Sequence, residues 1–333
     1  MTHGVSILKE ALEQVRPSDS VAILTHNNPD PDAIAAAFGL SHIIHVSTGA
    51  QVELFYGGII GRANNRTMVD TLDIPLHSAT TLSMLKHRHI CLVDTQSGMK
   101  NNVLPCDRVP LLVVDHHPLH EPAGKCRFMD HRETVGSSSA IVAGYLHELE
   151  LSIEPQMATA LFYGIKTDTE GLARDCSDDD RDMYLKLHHL VNPEWLNRIE
   201  NPDLPVEYYQ DIGEAVMNCR VCEGLLIADV DNCFTPEMPA EMADFLLRMT
   251  GINLAFVYGS YEGTTHFSIR TSRSNIRLGR LALALVDGIG SAGGHNRAAG
   301  GQIPVSPEHI RIMLERFYHF FAVEPGQFSP IYD

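Results

Sequence analysis

The sequence predicts an α/β protein with a doubly wound, mainly parallel sheet in its N-terminal part and a smaller α/β domain in its C-terminal part. Two observations support this fold class. Short, continuously apolar stretches such as 111–114 are typical of strands that are buried on both faces of a parallel sheet. These stretches alternate with segments of helical periodicity over about 190 residues, which is typical of a doubly wound sheet.

Local signals predict the N-terminal elements in chain order. The alanine-rich segment after the first apolar run begins with an acid, where the helix dipole favours a negative charge. The serines at 137–139, which follow Gly136, are typical of a helix N-terminus. Together the patterns predict helices over 6–16, 32–38, 140–149 and 157–166, and strands over 21–25, 52–56, 90–94 and 111–115.

A stretch rich in Pro and Asn at 192–206 predicts the junction between two domains. We predict an N-terminal domain over 1–192, a linker with a connecting helix over 193–220, and a C-terminal domain over 221–333. For the C-terminal domain the patterns predict strands over 224–228, 253–257 and 266–270, helices over 237–249, 277–286 and 306–322, and a glycine-rich loop over 288–301.

The composition narrows the class of protein. Of the 333 residues, 44% are apolar and 20% are charged, as in folded soluble proteins. No stretch approaches the roughly 18 apolar residues of a membrane span, and no secretory signal is recognisable. Seven cysteines, an odd number, favour reduced thiols, so we expect a cytoplasmic protein without a membrane partner. Cys219 and Cys222 lack a second ligand pair at zinc-finger spacing and are expected to be buried thiols.

The formal net charge of −17 argues against binding of long nucleic acid through its phosphates. A local group of cations can still bind a small phosphorylated ligand. The acid-free stretch 266–280 contains such a group: Arg270, Arg273, Arg277 and Arg280. Arg270 ends an alternating strand and is the best candidate for bidentate phosphate binding; a solvated basic face is the alternative.

Acids and histidines follow three of the predicted strands and one helix. Because parallel strands deliver their carboxyl ends to one crevice, we expect these side chains to lie close together. The alternative for any single acid is a helix cap or an ion pair. The proposed set of metal ligands is His26, Asp30, Asp32, Asp94, His116 and Asp168.

The charge of this set predicts a pair of cations. Four carboxylates in one crevice would repel each other and have raised pKa values, and two divalent ions would balance them. Histidine and carboxylate ligands without cysteine suit Mn²⁺ first, and then Mg²⁺, Co²⁺ or Fe²⁺. Two ions about 3.5–4 Å apart clamp a phosphoryl group and lower the pKa of a bridging water, so we expect hydrolysis at phosphorus.

The glycine-rich stretch supplies a second candidate site. Glycines let backbone N–H groups approach an anion or a planar base, although a plain turn has the same composition. With His295 and Arg297 beside Gly293 and Gly294, a nucleotide site is the preferred interpretation.

The chain resembles the DHH phosphoesterase superfamily, in the branch that carries a C-terminal DHHA1 domain. The motifs that carry the resemblance span most of the chain: 26–33, 93–94, 115–117, 167–169, 268–272 and 293–295. The resemblance implies a DHH domain, a DHHA1 domain and an active site in the cleft between them. Ala292 stands where the family usually has another glycine, which affects the geometry of that loop and not the metal ligands.

The resemblance also implies residue roles in a phosphodiesterase that uses two Mn²⁺ ions. One ion takes His26, Asp30 and Asp94, and the other takes Asp32, Asp94, His116 and Asp168. His117 would stabilise charge on the scissile phosphate, and Asp115 would orient a ligand histidine. The residues that would bind the substrate's phosphate and nucleotide are Arg270, Gly293, Gly294, His295 and Arg297.

Within the superfamily the chain is most similar to the nanoRNase group. This implies hydrolysis of very short oligonucleotides or of linear or cyclic dinucleotides such as pApA or pGpG, and also of 3′-phosphoadenosine 5′-phosphate. The alternatives are an inorganic polyphosphate or pyrophosphate hydrolase and a non-catalytic nucleotide-binding regulator. The expected partner is the short nucleotide substrate, and a homodimer is compatible with this assignment.

Overall fold

The structure is a computed structural model that describes residues 3–79, 86–99, 101–105, 107–119, 125–273, 276–294 and 296–332. The chain divides into two compact units, Met1–Pro202 and Asp203–Asp333. In the described ranges no helix has the length and apolar character needed to cross a bilayer. The domain boundaries given above stay predictions.

The first unit alternates strands and helices. Its elements are α1 (His3–Leu12), β1 (Ser20–Leu24), α2 (Pro31–Thr48), β2 (Gln51–Tyr56), α3 (Ala63–Thr71), β3 (Leu76–Ser78), β4 (His89–Val93), β5 (Leu112–Asp115), β6 (Phe128–His131), α4 (Ser138–Glu148), α5 (Pro155–Asp168), α6 (Asp178–His188) and α7 (Pro193–Glu200).

In the described part of the chain these strands form one six-stranded sheet in the order β3-β2-β1-β4-β5-β6. Every pair of neighbours is parallel, which confirms the predicted fold class of this unit. The strand order reverses at β1, because β2 lies on one side of it and β4 on the other. In open α/β sheets ligands bind outside the carboxyl ends of the strands at this reversal.

The apolar runs are buried on both faces of this sheet, as their composition predicts. On β1, Val21 and Ile23 pack in the large core with the helices, whereas Ala22 and Leu24 pack in a smaller core on the other face. Rigid packing on both sides fixes where each strand ends, and so fixes the side chains that follow it.

Two differences from the predicted elements have simple causes. Helix α2 continues to Thr48, well beyond the predicted end at 38, because Leu40, Ile43 and Ile44 extend its buried face. The prediction missed β3, β6, α3 and α6, which are short elements with weak apolar periodicity. It also missed α7, because this helix lies in the Pro- and Asn-rich stretch that was assigned to the domain junction.

The second unit has a mixed sheet. Its elements are α8 (Val206–Asn218), β7 (Arg220–Cys222), β8 (Leu225–Asn232), α9 (Met238–Leu246), β9 (Leu254–Tyr261), β10 (Thr264–Thr271), α10 (Leu278–Leu285), β11 (Ser291–Gly294), β12 (Ala298–Pro304), α11 (Pro307–Phe321), a 3₁₀ turn (Pro325–Gln327) and β13 (Ser329–Pro330). The strand order is β11-β12-β10-β9-β8-β7-β13, in which the β8–β9 pair is parallel.

The glycine-rich stretch 288–301 is not a loop, so that prediction is wrong. Much of it forms the antiparallel strands β11 and β12, in which Gly293 lies opposite Gly300. A Cβ at Gly301 would lie 2.4 Å from the Ser291 carbonyl oxygen, and one at Gly294 would lie 2.5 Å from that of Ala298. The glycines are therefore needed for close strand approach, a use that composition alone does not separate from a loop.

Candidate metal centre

Three neighbouring strands end at the same edge of the first sheet and deliver polar side chains there. His26 follows β1 by two residues, Asp94 directly follows β4, and Asp115 is the last residue of β5. Helices supply the other acids: Asp30 is the N-cap of α2, and Asp168 ends α5. This edge contains the strand reversal between β1 and β4, where a ligand is expected.

All six predicted ligands converge at this edge. The Nε2 atom of His26 lies 3.4 Å from Asp94 Oδ2 and 3.8 Å from Asp30 Oδ1. The Nε2 atom of His116 lies 3.2 Å from Asp168 Oδ2, 3.4 Å from Asp94 Oδ1 and 3.9 Å from Asp32 Oδ2. Asp94 therefore directs one oxygen toward each histidine. Among the described residues three groups of potential ligands have ligand atoms within 4.8 Å of one another: His26, Asp30 and Asp94; Asp94, His116 and His117; and Asp32, His116 and Asp168.

The hydrogen bonds of the two histidines leave Nε2 facing the acids. The Nδ1 atom of His26 lies 2.9 Å from the Asn27 carbonyl oxygen, and that of His116 lies 3.2 Å from the Val135 carbonyl oxygen. A carbonyl can only accept, so Nδ1 is the donor and Nε2 is available as a ligand atom. Within the described residues His116 Nε2 is buried and makes no hydrogen bond, which fits a place for a cation.

The N-terminus of α4 holds two of the acids. The backbone N–H groups of Ser138 and Ser139 donate to the two oxygens of Asp32, each at 2.8 Å. The Ser138 hydroxyl donates to Asp94 Oδ1 at 2.9 Å. Asp32 is fully buried, so these donors replace the water that a carboxylate needs. The serines at 137–139 predicted the helix start, and their contacts with the acids were missed.

Asp94 has a left-handed backbone with φ of +59°. Side chains other than glycine rarely adopt this conformation, and Asp and Asn tolerate it best. The turn it makes lets the carboxylate leave β4 toward the histidines while its N–H still donates to the Val114 carbonyl oxygen.

The pKa values divide the acids into two groups, so the expectation of four raised pKa values is wrong for half of them. Burial and the charges of Asp94 and Asp168 raise the pKa of Asp32 well above its usual range, and burial raises the pKa of Asp168. Burial would also raise the pKa of Asp94, but contacts with His116 and His26 lower it well below its usual range. Histidine contact likewise outweighs burial and lowers the pKa of Asp30.

The pKa values of both histidines are raised by the neighbouring acids. Burial alone would lower the pKa of His116, but Asp168 and Asp94 raise it to about 12. The acids Asp30 and Asp94 similarly raise the pKa of His26 well above its usual range. Without cations the cluster therefore balances its acids with protons on histidine, which the sequence argument did not include.

Asp115 orients His117, whereas the resemblance implied that it orients a ligand histidine. Its Oδ1 lies 3.0 Å from His117 Nδ1, and its Oδ2 accepts from Gln96 Nε2 at 2.6 Å. The ring of His116 is held by Val135 instead. Burial lowers the pKa of His117, but Asp115 and Asp94 outweigh it and raise the pKa to about 9. Gln96 is a second residue that the prediction missed.

The predicted substrate residues lie in the second unit, at the β10–β12 side of its sheet. Arg270 lies opposite Ala298 of β12; its Nε donates to Asp244 Oδ1 at 2.7 Å and one Nη donates to the Ser268 hydroxyl at 2.6 Å. Gly293 and Gly294 are in β11, and Arg297 is exposed. His295 lies outside the described residues. The active-site cleft between the domains stays a prediction.

The fold and the site define a class: a parallel α/β unit with a histidine and carboxylate cluster suited to divalent cations at the carboxyl edge of its sheet. Residues 20–165 match the DHH family, N-terminal domain, and residues 223–322 match the DHHA1 domain. The chain therefore belongs to the family that combines a DHH domain with a DHHA1 domain.

Two curated proteins are similar to this chain in sequence. An uncharacterized protein of Methanocaldococcus jannaschii is 35% identical over 285 residues, which are 85% of this chain and 58% of that protein. The chain thus spans little more than half of this relative's length. The probable bifunctional oligoribonuclease and PAP phosphatase NrnA of Streptococcus mutans is 22% identical over 165 residues, 50% of each protein.

Two solved structures share the fold. An exopolyphosphatase-related protein from Bacteroides fragilis has a TM-score of 0.74 at 16% identity, over 96% of this chain and 98% of that chain. RecJ from Thermus thermophilus in complex with Mn²⁺ has a TM-score of 0.53 at 13% identity, over 97% of this chain and 54% of that chain. At these identities the likeness shows the fold alone.

Proposed function

We propose that the protein is a metal-dependent phosphodiesterase that cleaves very short oligonucleotides or dinucleotides, such as pApA and pGpG, to 5′-mononucleotides. The observation that carries the proposal is the meeting of four carboxylates and two histidine Nε2 atoms around Asp94. Without cations, the burial and mutual repulsion of these carboxylates lower the stability of the fold. Divalent cations bound by the same carboxylates could act on a phosphoryl group.

The ligands fall into two sets that share Asp94. We assign His26, Asp30 and Asp94 to one divalent ion, and Asp32, Asp94, His116 and Asp168 to the other. Nitrogen and oxygen donors without sulfur favour Mn²⁺, the ion named with the RecJ structure. When bound, two such ions lower the pKa of a water between them and neutralise charge on the phosphoryl oxygens.

The other residues of the site either donate a proton or fix the position of another side chain. His117 keeps a proton at neutral pH because its pKa is raised to about 9, so its Nε2 can donate to an oxygen of the scissile phosphate. Asp115 fixes the ring of His117 through Nδ1, and Gln96 in turn fixes Asp115. We assign His117 to the reacting phosphate and Asp115 and Gln96 to positioning.

The substrate class follows from charge and from the names of relatives. We assign Arg270, Gly293, Gly294, His295 and Arg297 to the nucleotide and its terminal phosphate. The net charge of −17 opposes long nucleic acid, and the Streptococcus mutans relative is named for oligoribonuclease and PAP phosphatase activity. We therefore also propose 3′-phosphoadenosine 5′-phosphate as a substrate, and a cytoplasmic place of action.

Inorganic polyphosphate or pyrophosphate is the second candidate substrate. The name of the Bacteroides fragilis protein, which shares the fold over nearly the whole chain, favours it. A non-catalytic regulator is the third candidate, and the presence of all six ligand positions in one cluster opposes it.

A substrate panel tests these candidates. Purified full-length protein with Mn²⁺ is given pApA, pGpG, di- to pentanucleotides, 3′-phosphoadenosine 5′-phosphate, polyphosphate and pyrophosphate, and mononucleotide and phosphate release are measured. We expect the highest kcat/KM with the nucleotides. Faster release from polyphosphate would select the second candidate, and no release from any compound would favour the regulator.

A further inference from the structure

The second unit contains a cavity of about 480 Å³ that the proposed reaction does not use. Strands β7, β8 and β9 form its floor. Helix α11 and the chain segment 325–330 form its walls. The lining groups are chemically diverse: Arg220, Asp229, Tyr258, Tyr318, Phe328 and Asn218.

The strand register places the two charged groups on one face of the sheet. Arg220 of β7 lies opposite Ile227 of β8, and Asp229 comes two residues after Ile227. Arg220 and Asp229 are therefore diagonal neighbours, roughly 7–8 Å apart. Asp229 lies opposite Tyr258 of β9 in the strand register.

Aromatic rings cover the same face. Tyr318 lies one turn after Leu314 on α11, and both line the cavity. The ring centroids of Tyr318 and Phe328 are 5.6 Å apart and the rings are inclined at 58°. Phe328 is buried in the core below the cavity, whereas Tyr318 is half-buried, so Tyr318 is the ring that a planar ligand can contact.

The two charges are not neutralised within the protein. Across the described ranges, neither Arg220 nor Asp229 has an oppositely charged group within 4.0 Å, although both line one cavity. Arg220 is exposed and Asp229 is half-buried, and burial together with Asp231 and Glu214 raises the pKa of Asp229. A ligand with an anionic group and hydrogen-bond donors could contact both side chains at once.

We propose that this cavity is a second nucleotide site that binds a nucleoside monophosphate, with the phosphate on Arg220, the base against Tyr318, and a base N–H on Asp229. The volume is ordinary for a small-molecule site. The choice of a mononucleotide rests on the proposed function, since mononucleotides are its products. In the strand order β8 is two spacings, about 10 Å, from β10 with Arg270 and four spacings, about 19 Å, from β11 with Gly294, so the site is separate from those residues.

Calorimetric titration of the full chain with AMP and GMP tests this site, with adenosine and inorganic phosphate as comparison ligands. Chelator is present, so that binding at the metal centre is suppressed. We expect Arg220→Ala to weaken mononucleotide binding about 10-fold or more, because a charge-assisted hydrogen bond to phosphate is lost. The matched control Arg248→Ala removes an exposed arginine of the same unit and should bind as the wild type.

Two aromatic variants separate ring contact from general damage. Tyr318→Phe keeps the ring and should bind mononucleotide nearly as the wild type, whereas Tyr318→Ala should bind it several-fold more weakly. Wild-type affinity in Arg220→Ala, or equal affinity for inorganic phosphate and AMP, would overturn the proposal.

Hydrolysis measured on the same samples keeps this inference distinct from the proposed function. Arg220-dependent AMP binding in a protein that hydrolyses nothing on the panel supports the second site and contradicts the phosphodiesterase. Hydrolysis without Arg220-dependent AMP binding contradicts the second site alone.

Discussion

The two edges of the first sheet carry the same residue types and use them differently. At the amino edge, Asp19 accepts from the Arg16 N–H at 3.0 Å and lies 3.2 Å from His89 Nε2 and 3.4 Å from Arg88 Nη1. One acid there is matched by two basic side chains and a backbone donor. At the carboxyl edge, four acids meet around two histidines.

A buried histidine nitrogen without a hydrogen bond does not by itself indicate a cation site. At the amino edge, His87 Nδ1 is also buried without a hydrogen bond in the described part of the chain, and the acid facing the other nitrogen is Glu53, which is exposed. At the carboxyl edge, His116 Nε2 faces Asp32, Asp94 and Asp168. The comparison teaches that an excess of acids around the nitrogen, and not the unpaired nitrogen, indicates a cation site.

The largest expected difference between the two edges is in kcat, when one acid at each edge is replaced by asparagine. Asp94→Asn keeps a residue that tolerates the left-handed backbone but removes a charge that both proposed ions need, so kcat should fall by about 10³-fold or more. Asp19→Asn should keep nearly full activity and lower the melting temperature. Steady-state hydrolysis of pApA and thermal unfolding measure both. Equal activity in the two variants would contradict the comparison.

A smaller loss is expected for the residues that position the acids. Ser138→Ala removes the hydroxyl that donates to Asp94, and Gln96→Ala removes the donor to Asp115; each should lower kcat about 10–100-fold. The matched control is Ser41→Ala, whose hydroxyl donates to the Phe38 carbonyl oxygen within α2 and which should keep full activity. If Ser41→Ala loses as much as Ser138→Ala, the loss reports helix stability and not the site.

Metal binding should raise the free energy of unfolding through the ligands at the carboxyl edge of the sheet. At 100 times the dissociation constant a cation adds about 2.7 kcal/mol to the free energy of unfolding. For a unit of this size that is roughly 5–10 °C in melting temperature. Scanning calorimetry with Mn²⁺ should show this rise in the wild type and in Asp19→Asn, and little of it in Asp94→Asn. A full rise in Asp94→Asn would place the ion elsewhere.

The smallest expected signal is a release of protons. In the metal-free protein His116 holds a proton because its pKa is raised to about 12, and the raised pKa of His26 favours a proton there as well. A cation must displace these protons, so Mn²⁺ affinity should rise with pH, with about one proton or more released per chain. Calorimetry in two buffers of different ionisation enthalpy counts the protons. A pH-independent affinity would show that these groups do not hold the ion.

The sequence predicted the parallel sheet and the meeting of the six ligands because both depend on local signals. Apolar runs mark buried strands, and parallel strands must end at one edge. It could not predict that Ser138 and Ser139 hold Asp32, because their donors are backbone groups from a distant part of the chain. It also missed the strands β11 and β12, because glycine has low strand propensity wherever it is found.

The hydrogen bonds from the start of α4 to Asp32 have a consequence for folding during biosynthesis. Ser138 lies 106 positions after Asp32, so a nascent chain that has emerged only through β5 already carries His26, Asp94 and most of the other acids, but not the amides that orient Asp32. Closing so long a loop is slow compared with local helix formation. The carboxylate of Asp32 is therefore oriented only after α4 has been synthesised and has packed against the start of α2.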